Sequence, residues 1–149
     1  MSTAAEDGAQ TLRPRQALAL TEGECWRLLG SVSVGRVVFT HRAMPAIRPV
    51  NHLLDGKTIV IRSHLGTSIT ARASADRGTV VCYEVDELDP VRHTGWSVMA
   101  TGTARIAGDP DVITRYAQRL ESWIAGELDQ IITIEPAFIS GIRLVGWCA

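Results

Sequence analysis

Hydrophobic and polar positions along this chain alternate mostly with the period of a pleated strand, and they fall into short runs separated by turn residues. Gly35 to Thr40, rich in Val and Phe, reads as a strand, broken by Arg42-Ala43-Met44-Pro45. Ala46 to Leu54 resumes as a second strand, Asp55-Gly56 is a two-residue hairpin signal, and Lys57 to Arg62 returns with Ile59 and Ile61 on one face. These three runs form a meander. Gly78 to Val85 is a nearly continuous apolar run that predicts a strand buried on both faces, followed by a polar loop from Asp86 to Thr94. Gly95 to Ile106 is a long strand, and Gly102 inside it marks a bulge or a barrel corner. A last strand covers about Ala137 to Trp147.

The helical period shows in three places. Thr21-Glu22-Gly23-Glu24 is a capping-box pattern that opens a helix from Glu22 to Leu29, with Cys25, Leu28 and Leu29 on one face and Gly30 as its stop. Thr67 to Ala75 predicts a second short helix. Asp109-Pro110 is an N-cap followed by proline at the first helical position. That third helix runs to about Ala125, with Val112, Ile113, Tyr116, Ala117, Leu120 and Ile124 at helical spacing and Gly126 ending it. The sum is a mainly β chain of about six strands, mostly antiparallel, with two or three short helices. Antiparallel strands that avoid open edges tend to close into a barrel.

The 149 residues fit one domain, and 46% hydrophobic against 21% charged residues is enough apolar material for a packed core. Residues 1–16 offer little to bury and read as a tail, leaving 17–149 as the domain. Fifteen basic residues against sixteen acidic ones leave no basic footprint for nucleic acid or an anionic membrane, and no apolar run is long enough to span a bilayer. With three cysteines, an odd count, a disulfide framework is not expected; Cys82 reads as a core residue and the location as cytoplasmic.

Candidate chemistry concentrates in Arg62-Ser63-His64-Leu65-Gly66-Thr67-Ser68. A strand ends in arginine, and a glycine loop leads into a helix whose first free N–H groups attract anions. Arg62, Ser63, Thr67 and Ser68 together form a socket suited to a phosphate ester. The plainer reading pairs Arg62 with a carboxylate such as Glu84 and uses the hydroxyls as helix caps. The second stretch is Arg48-Pro49-Val50-Asn51-His52, on the strand hairpinned to the one ending at Arg62. Here Arg48 and Arg62 could be neighbours around an anion, and Asn51 suits the edge of a heterocycle, or this is an ordinary strand with a solvated arginine. Third, Gly95-Trp96-Ser97-Val98 places Trp96 where it could stack on a planar ligand, line an interface or simply fill the core. His41, His52, His64 and His93 are scattered, so no metal site is expected.

In order and spacing, Val34-Gly35-Arg36-Val37, Arg48-Pro49-Val50-Asn51, Ile61-Arg62-Ser63-x-x-Gly66-Thr67, Glu84-Val85-Asp86 and Gly95-Trp96-Ser97-Val98 with Gly102 resemble the pyridoxamine 5'-phosphate oxidase-like family, closest to its nitroimidazole-resistance-type and actinobacterial branch. The resemblance covers residues 18–107 well and the last strand weakly. It implies a six-stranded split barrel, a homodimer, and FMN in a groove between subunits. It implies that Arg48, Val50 and Asn51 lie along the flavin, that Arg62, Ser63 and Thr67 hold its phosphate, and that Trp96 and Ser97 lie near the site. Related sequences usually carry a lysine or arginine where this chain has Ser68. Loss of that cation leaves room for weaker FMN binding, for a deazaflavin cofactor, or for a non-catalytic flavin-, deazaflavin- or heme-binding module. The implied activity is a flavin-dependent reduction of a small organic substrate. Oxidation of pyridoxamine phosphate itself is not expected, because the chain has few spare cations for a second phosphate.

Overall fold

The computed structural model describes residues 15–63, 77–121 and 130–146. In chain order its elements are β1 (Gln16–Ala19), α1 (Glu22–Ser31), β2 (Val34–His41), β3 (Met44–Asp55), β4 (Thr58–Ser63), β5 (Thr79–Asp89), β6 (Thr94–Ile106), α2 (Pro110–Arg119) and β7 (Gln130–Val145). The predicted helix over Thr67 to Ala75 lies outside the described residues. No helix among the described residues is long and apolar enough to cross a membrane.

The strands are hydrogen-bonded in the order β1-β7-β4-β3-β2-β5-β6, and β6 pairs back onto β7. Six antiparallel strands, β2 to β7, therefore close a ring. β1 stands outside it, paired with the far end of β7 through Gln16–Val145 and Ala19–Ile142. The predicted meander is β2-β3-β4. Its first turn is the two residues Arg42 and Ala43, both with positive φ, and β3 runs through Pro45 and Pro49 without a break. Those prolines fit because this part of β3 pairs with β2 alone among the described residues, leaving its other edge without a ladder to interrupt. The second turn is Gly56-Lys57, since Asp55 already pairs with Thr58.

Inward positions build one core. Val37, Phe39, Val50, Ile59, Ile61, Val81, Tyr83, Val85, Trp96, Val98, Ala100, Ile132 and Ile134 fill the barrel, and Cys25 and Leu29 of α1 join them. Fully burying one such aliphatic side chain contributes roughly 1.5–3 kcal/mol. α1 begins with the expected capping box: Glu24 N–H donates to Thr21 Oγ1 and Thr21 N–H to Glu24 Oε1, both at 3.2 Å. It runs past Gly30 to Ser31. α2 starts with Asp109 accepting from the Asp111 N–H at 2.9 Å, and it packs Tyr116 and Leu120 on Val60 and Ile131 outside the barrel.

Several expectations are corrected. β5 is not buried on both faces: Val81, Tyr83 and Val85 are buried and Val80 is exposed, because no element among the described residues covers its outer side. Cys82 shares that outer side and is half-buried, not core. The polar stretch after Val85 is still strand, because the ladder with β6 continues to Asp89–Thr94. α2 stops at Arg119, where Leu120 turns extended, well before Ala125. β7 starts at Gln130, earlier than expected, since Ile131, Ile132 and Ile134 are all buried in its first turn of ladder. The bulge foreseen at Gly102 is present: Thr101 pairs with Phe138 and Gly102 with Pro136. A Cβ on Gly102 would lie 2.0 Å from the Glu135 carbonyl oxygen, so only glycine fits there.

Candidate functional site

The barrel is split where β3 and β4 part. Their recorded pairing runs from Asp55–Thr58 to His52–Ile61. The next positions in that register, Asn51 and Arg62, sit side by side at the lip, and the pleat aims both away from the core. Both reach the end of α2. Asn51 Nδ2 donates to the Glu121 carbonyl at 2.6 Å, and Arg62 Nη1 donates to those of Ala117 and Leu120 at 3.3 and 3.0 Å. A guanidinium facing the carbonyl end of a helix is favourable, because that end carries partial negative charge. α2 is anchored on the β3-β4 hairpin as well: the Tyr116 hydroxyl donates to Asp55 Oδ2 at 2.6 Å.

Arg48 does not join this pair. It shares the opposite face of β3 with Val50 and His52, is exposed, and donates from Nη1 to the Ile47 carbonyl at 2.9 Å. Val50 is buried in the core. Ser63 enters as a backbone position opposite Gln130, and Thr67 and Ser68 lie outside the described residues. Trp96 is buried in the core, and Ser97 lies on the outer face of β6. β7 carries both regions, with Ile131 beside Arg62 and Arg143 beside Trp96. Twelve residues of strand, on the order of 40 Å of path, separate them. Round the other side of the ring the way is shorter: Asn51 pairs with Val34, Val34 and Asp86 line one groove, and Asp86 pairs with Ser97, so Ser97 lies three strands from Asn51 while Trp96 faces the core. Glu84 is not the partner of Arg62; it pairs with Arg36 across β2 and β5.

Two polar clusters escape a reading of motifs. Inside the barrel, Tyr83 donates to His52 Nδ1 at 2.5 Å, and His52 Nε2 donates to the Leu29 carbonyl at 2.9 Å. That chain fixes the imidazole as the neutral Nε2–H tautomer. Burial holds His52 below the usual imidazole range and pushes the Tyr83 phenol up. Gly35 is what admits the phenol, since a Cβ there would meet the Tyr83 hydroxyl oxygen at 2.5 Å. Beside this cluster is a groove of about 700 Å³ lined in part by Ser31, Ser33, His52, Asp86 and Arg119. Outside the barrel, Arg36 Nη1 lies 3.1 Å from both Glu84 Oε2 and Asp86 Oδ2. Burial, a hydrogen bond shared with Asp86 and that neighbour's charge push Glu84 up to about 7, against the opposing pull of Arg36. The expected loop from Asp86 hid this pair; with β5 running on to Asp89, Glu84 and Asp86 are two apart on a strand, which places both carboxylates on one face.

Residues 21–143 match the pyridoxamine 5'-phosphate oxidase family, and the chain belongs to that family. The uncharacterised protein Rv0080 of Mycobacterium tuberculosis is 47% identical over 133 residues, 88% of each chain. A Corynebacterium glutamicum structure provisionally named a pyridoxamine 5'-phosphate oxidase is 31% identical, with a TM-score of 0.71 over 89% of this chain and all of the other. The structure of an FAD-binding protein from Mycobacterium smegmatis is 32% identical, with a TM-score of 0.63 over 85% of this chain and 96% of that one.

Proposed function

We propose that this chain is a cytoplasmic flavin-binding homodimer that acts as an oxidoreductase on a small organic substrate. The observation that carries the reading is the Asn51–Arg62 pair at the barrel split. A buried amide and a half-buried guanidinium on neighbouring strands fit a ligand with a hydrogen-bonding edge and an anionic tail. Membership of the family, and the M. smegmatis relative named for binding FAD, make a flavin nucleotide the ligand of choice.

Arg62, with Ser63 and Thr67, would hold the phosphate and Asn51 would meet the edge of the ring; Arg48 and Val50, on the opposite face of β3, take no part in this site. When bound, the flavin supplies hydride or electron transfer, while the chain binds, orients and tunes it. FMN is our assignment. FAD is the second reading, favoured by the same relative. His52 and Tyr83 are engaged with each other and with Leu29, and we give them a structural role.

The homodimer reading needs an apolar surface that the single subunit leaves uncovered. The outer sheet offers the surface. Ile47, Val38, Cys82, Thr101 and Phe138 are consecutive cross-strand partners from β3 to β7 and form a belt. Ile47 is 52% exposed, Phe138 58%, nearby Val80 68% and Met99 43%. Of the described helices, neither α1 nor α2 packs there.

The test is the visible spectrum of the purified protein followed by titration with FMN and with FAD. A flavin chromophore or micromolar binding is expected, weakened roughly ten- to a hundredfold in Arg62→Ala, the loss of a charged hydrogen bond of about 1.5–3 kcal/mol. An absent chromophore together with no binding of either flavin at micromolar concentration refutes the assignment.

A further inference from the structure

The two side chains that carry the proposed ligand site are both engaged by one piece of the chain, the last turn of α2. Asn51 Nδ2 donates to the Glu121 carbonyl at 2.6 Å, and Arg62 Nη1 donates to the Ala117 and Leu120 carbonyls at 3.3 and 3.0 Å. Asn51 is 8% exposed, and the amide nitrogen that a ligand would need already serves the chain's own backbone. Carbonyl oxygens at a helix C-terminus carry partial negative charge. They meet the guanidinium as the oxygens of a phosphate would.

That turn is lightly attached. Tyr116 and Leu120 rest on Val60 and Ile131, a cluster separate from the barrel core. The Tyr116 hydroxyl donates to Asp55 Oδ2 at 2.6 Å; Arg115, 3.9 Å from the same carboxylate, is exposed and adds little. The helical ladder ends where the Leu120 N–H meets the Tyr116 carbonyl at 2.9 Å, and Leu120 itself is extended. The carbonyls of Ala117, Leu120 and Glu121 lie past that bond, so releasing them breaks no helical rung.

Resting on the flavin reading above, we propose that the last turn of α2 is a latch over the anion end of the site, released when the ligand's phosphate takes Arg62 from Ala117 and Leu120 and frees Asn51 from Glu121. A phosphate offers the guanidinium two parallel bonds to charged oxygens, whereas the carbonyls are neutral dipoles, so phosphate wins the exchange. An uncharged flavin has no such acceptor, and the latch therefore selects phosphorylated ligands. Only molecules with the turn open bind, which lowers the apparent affinity by the open fraction.

Hydrogen–deuterium exchange of the full chain over residues 113–121, with flavin titrations of the wild type, Tyr116→Phe and Leu120→Ala, tests this. Saturating FMN is expected to speed exchange in the last turn, and riboflavin at the same concentration to leave it unchanged. Tyr116→Phe loosens α2 from Asp55 without touching Asn51 or Arg62. It is expected to bind FMN roughly two- to tenfold more tightly, the effect of one hydrogen bond. Leu120→Ala loosens the turn from Val60 and Ile131 and is expected to act in the same direction. FMN that binds with exchange in the turn unchanged or slowed overturns the latch and leaves the flavin reading standing. Equal or weaker binding in the folded variants does the same, because α2 would then support the guanidinium and not compete for it. Riboflavin that speeds exchange as FMN does overturns release by phosphate. Absence of FMN and FAD binding in the wild type and both variants overturns the flavin reading, and the latch with it.

Discussion

Tyr83 and Glu84 are consecutive residues of β5, yet they live in different media. Tyr83 is fully buried and its hydroxyl has one partner, His52, whose other nitrogen is held by Leu29. Glu84 sits on the outer face with a guanidinium and a second carboxylate within reach. The inner cluster is satisfied without charge; the outer one has one carboxylate too many for its cation. The contrast teaches that a strand separates a structural polar network from a titratable one by a single residue, through the pleat alone.

Breaking the inner side has the largest expected effect. Tyr83→Ala empties the barrel centre and should lower unfolding free energy by about 3–5 kcal/mol, read from urea denaturation. Tyr83→Phe keeps the ring and leaves His52 Nδ1 buried without its donor. It should lose about 1–3 kcal/mol in the same measurement. The inner side also has a pH signature. Because burial lowers the His52 pKa below 6.5, the unfolded chain binds the proton first, so this group's stabilisation is present above about pH 6.5 and is lost as pH falls. Urea titrations of the wild type between about pH 5 and pH 7 should show that decline, and His52→Gln should flatten it.

The outer side has the opposite sign and a smaller size. The folded Glu84 pKa is raised from 4.5 to about 7, so its contribution is full below about pH 4.5 and is lost as pH climbs through 7. Glu84→Gln should match the wild type near pH 4.5 and exceed it at about pH 8 by about 1 kcal/mol or less, solvent screening having been allowed for. Smallest of all is Val80→Thr on the exposed face, expected to change the unfolding free energy of the single subunit by less than about 0.5 kcal/mol.

The same contrast explains what the sequence could disclose. Hairpins with local signals were legible, as at Asp55-Gly56, and so were the capping box at Thr21 and the bulge at Gly102. Each depends on residues close in the chain. Errors arose where a distant strand decided. The polar run after Val85 looked like loop, and the ladder with β6 keeps it extended to Asp89. The last strand reads from about Ala137, and β4 and β6 clasp Gln130 to Pro136 from both sides, which starts it earlier. At the candidate site, the closeness of the two motif strands followed from the hairpin. The choice of neighbour did not: parity places Asn51, not Arg48, beside Arg62, and the α2 carbonyls that both side chains grip lie more than fifty residues further on. The carboxylate pair was hidden by the expected loop from Asp86, and its guanidinium lies 48 residues away.

The order in which the strands arrive has a consequence for biosynthesis. β7 is the member that joins β4 to β6, and it follows every other strand in the chain. While the nascent polypeptide is still on the ribosome, β4 and β6 each present a naked hydrogen-bonding margin that any extended peptide could template upon. Translation that stalls before Gln130 would release a sheet with two sticky borders, and chaperone dependence should be greatest for such truncated products.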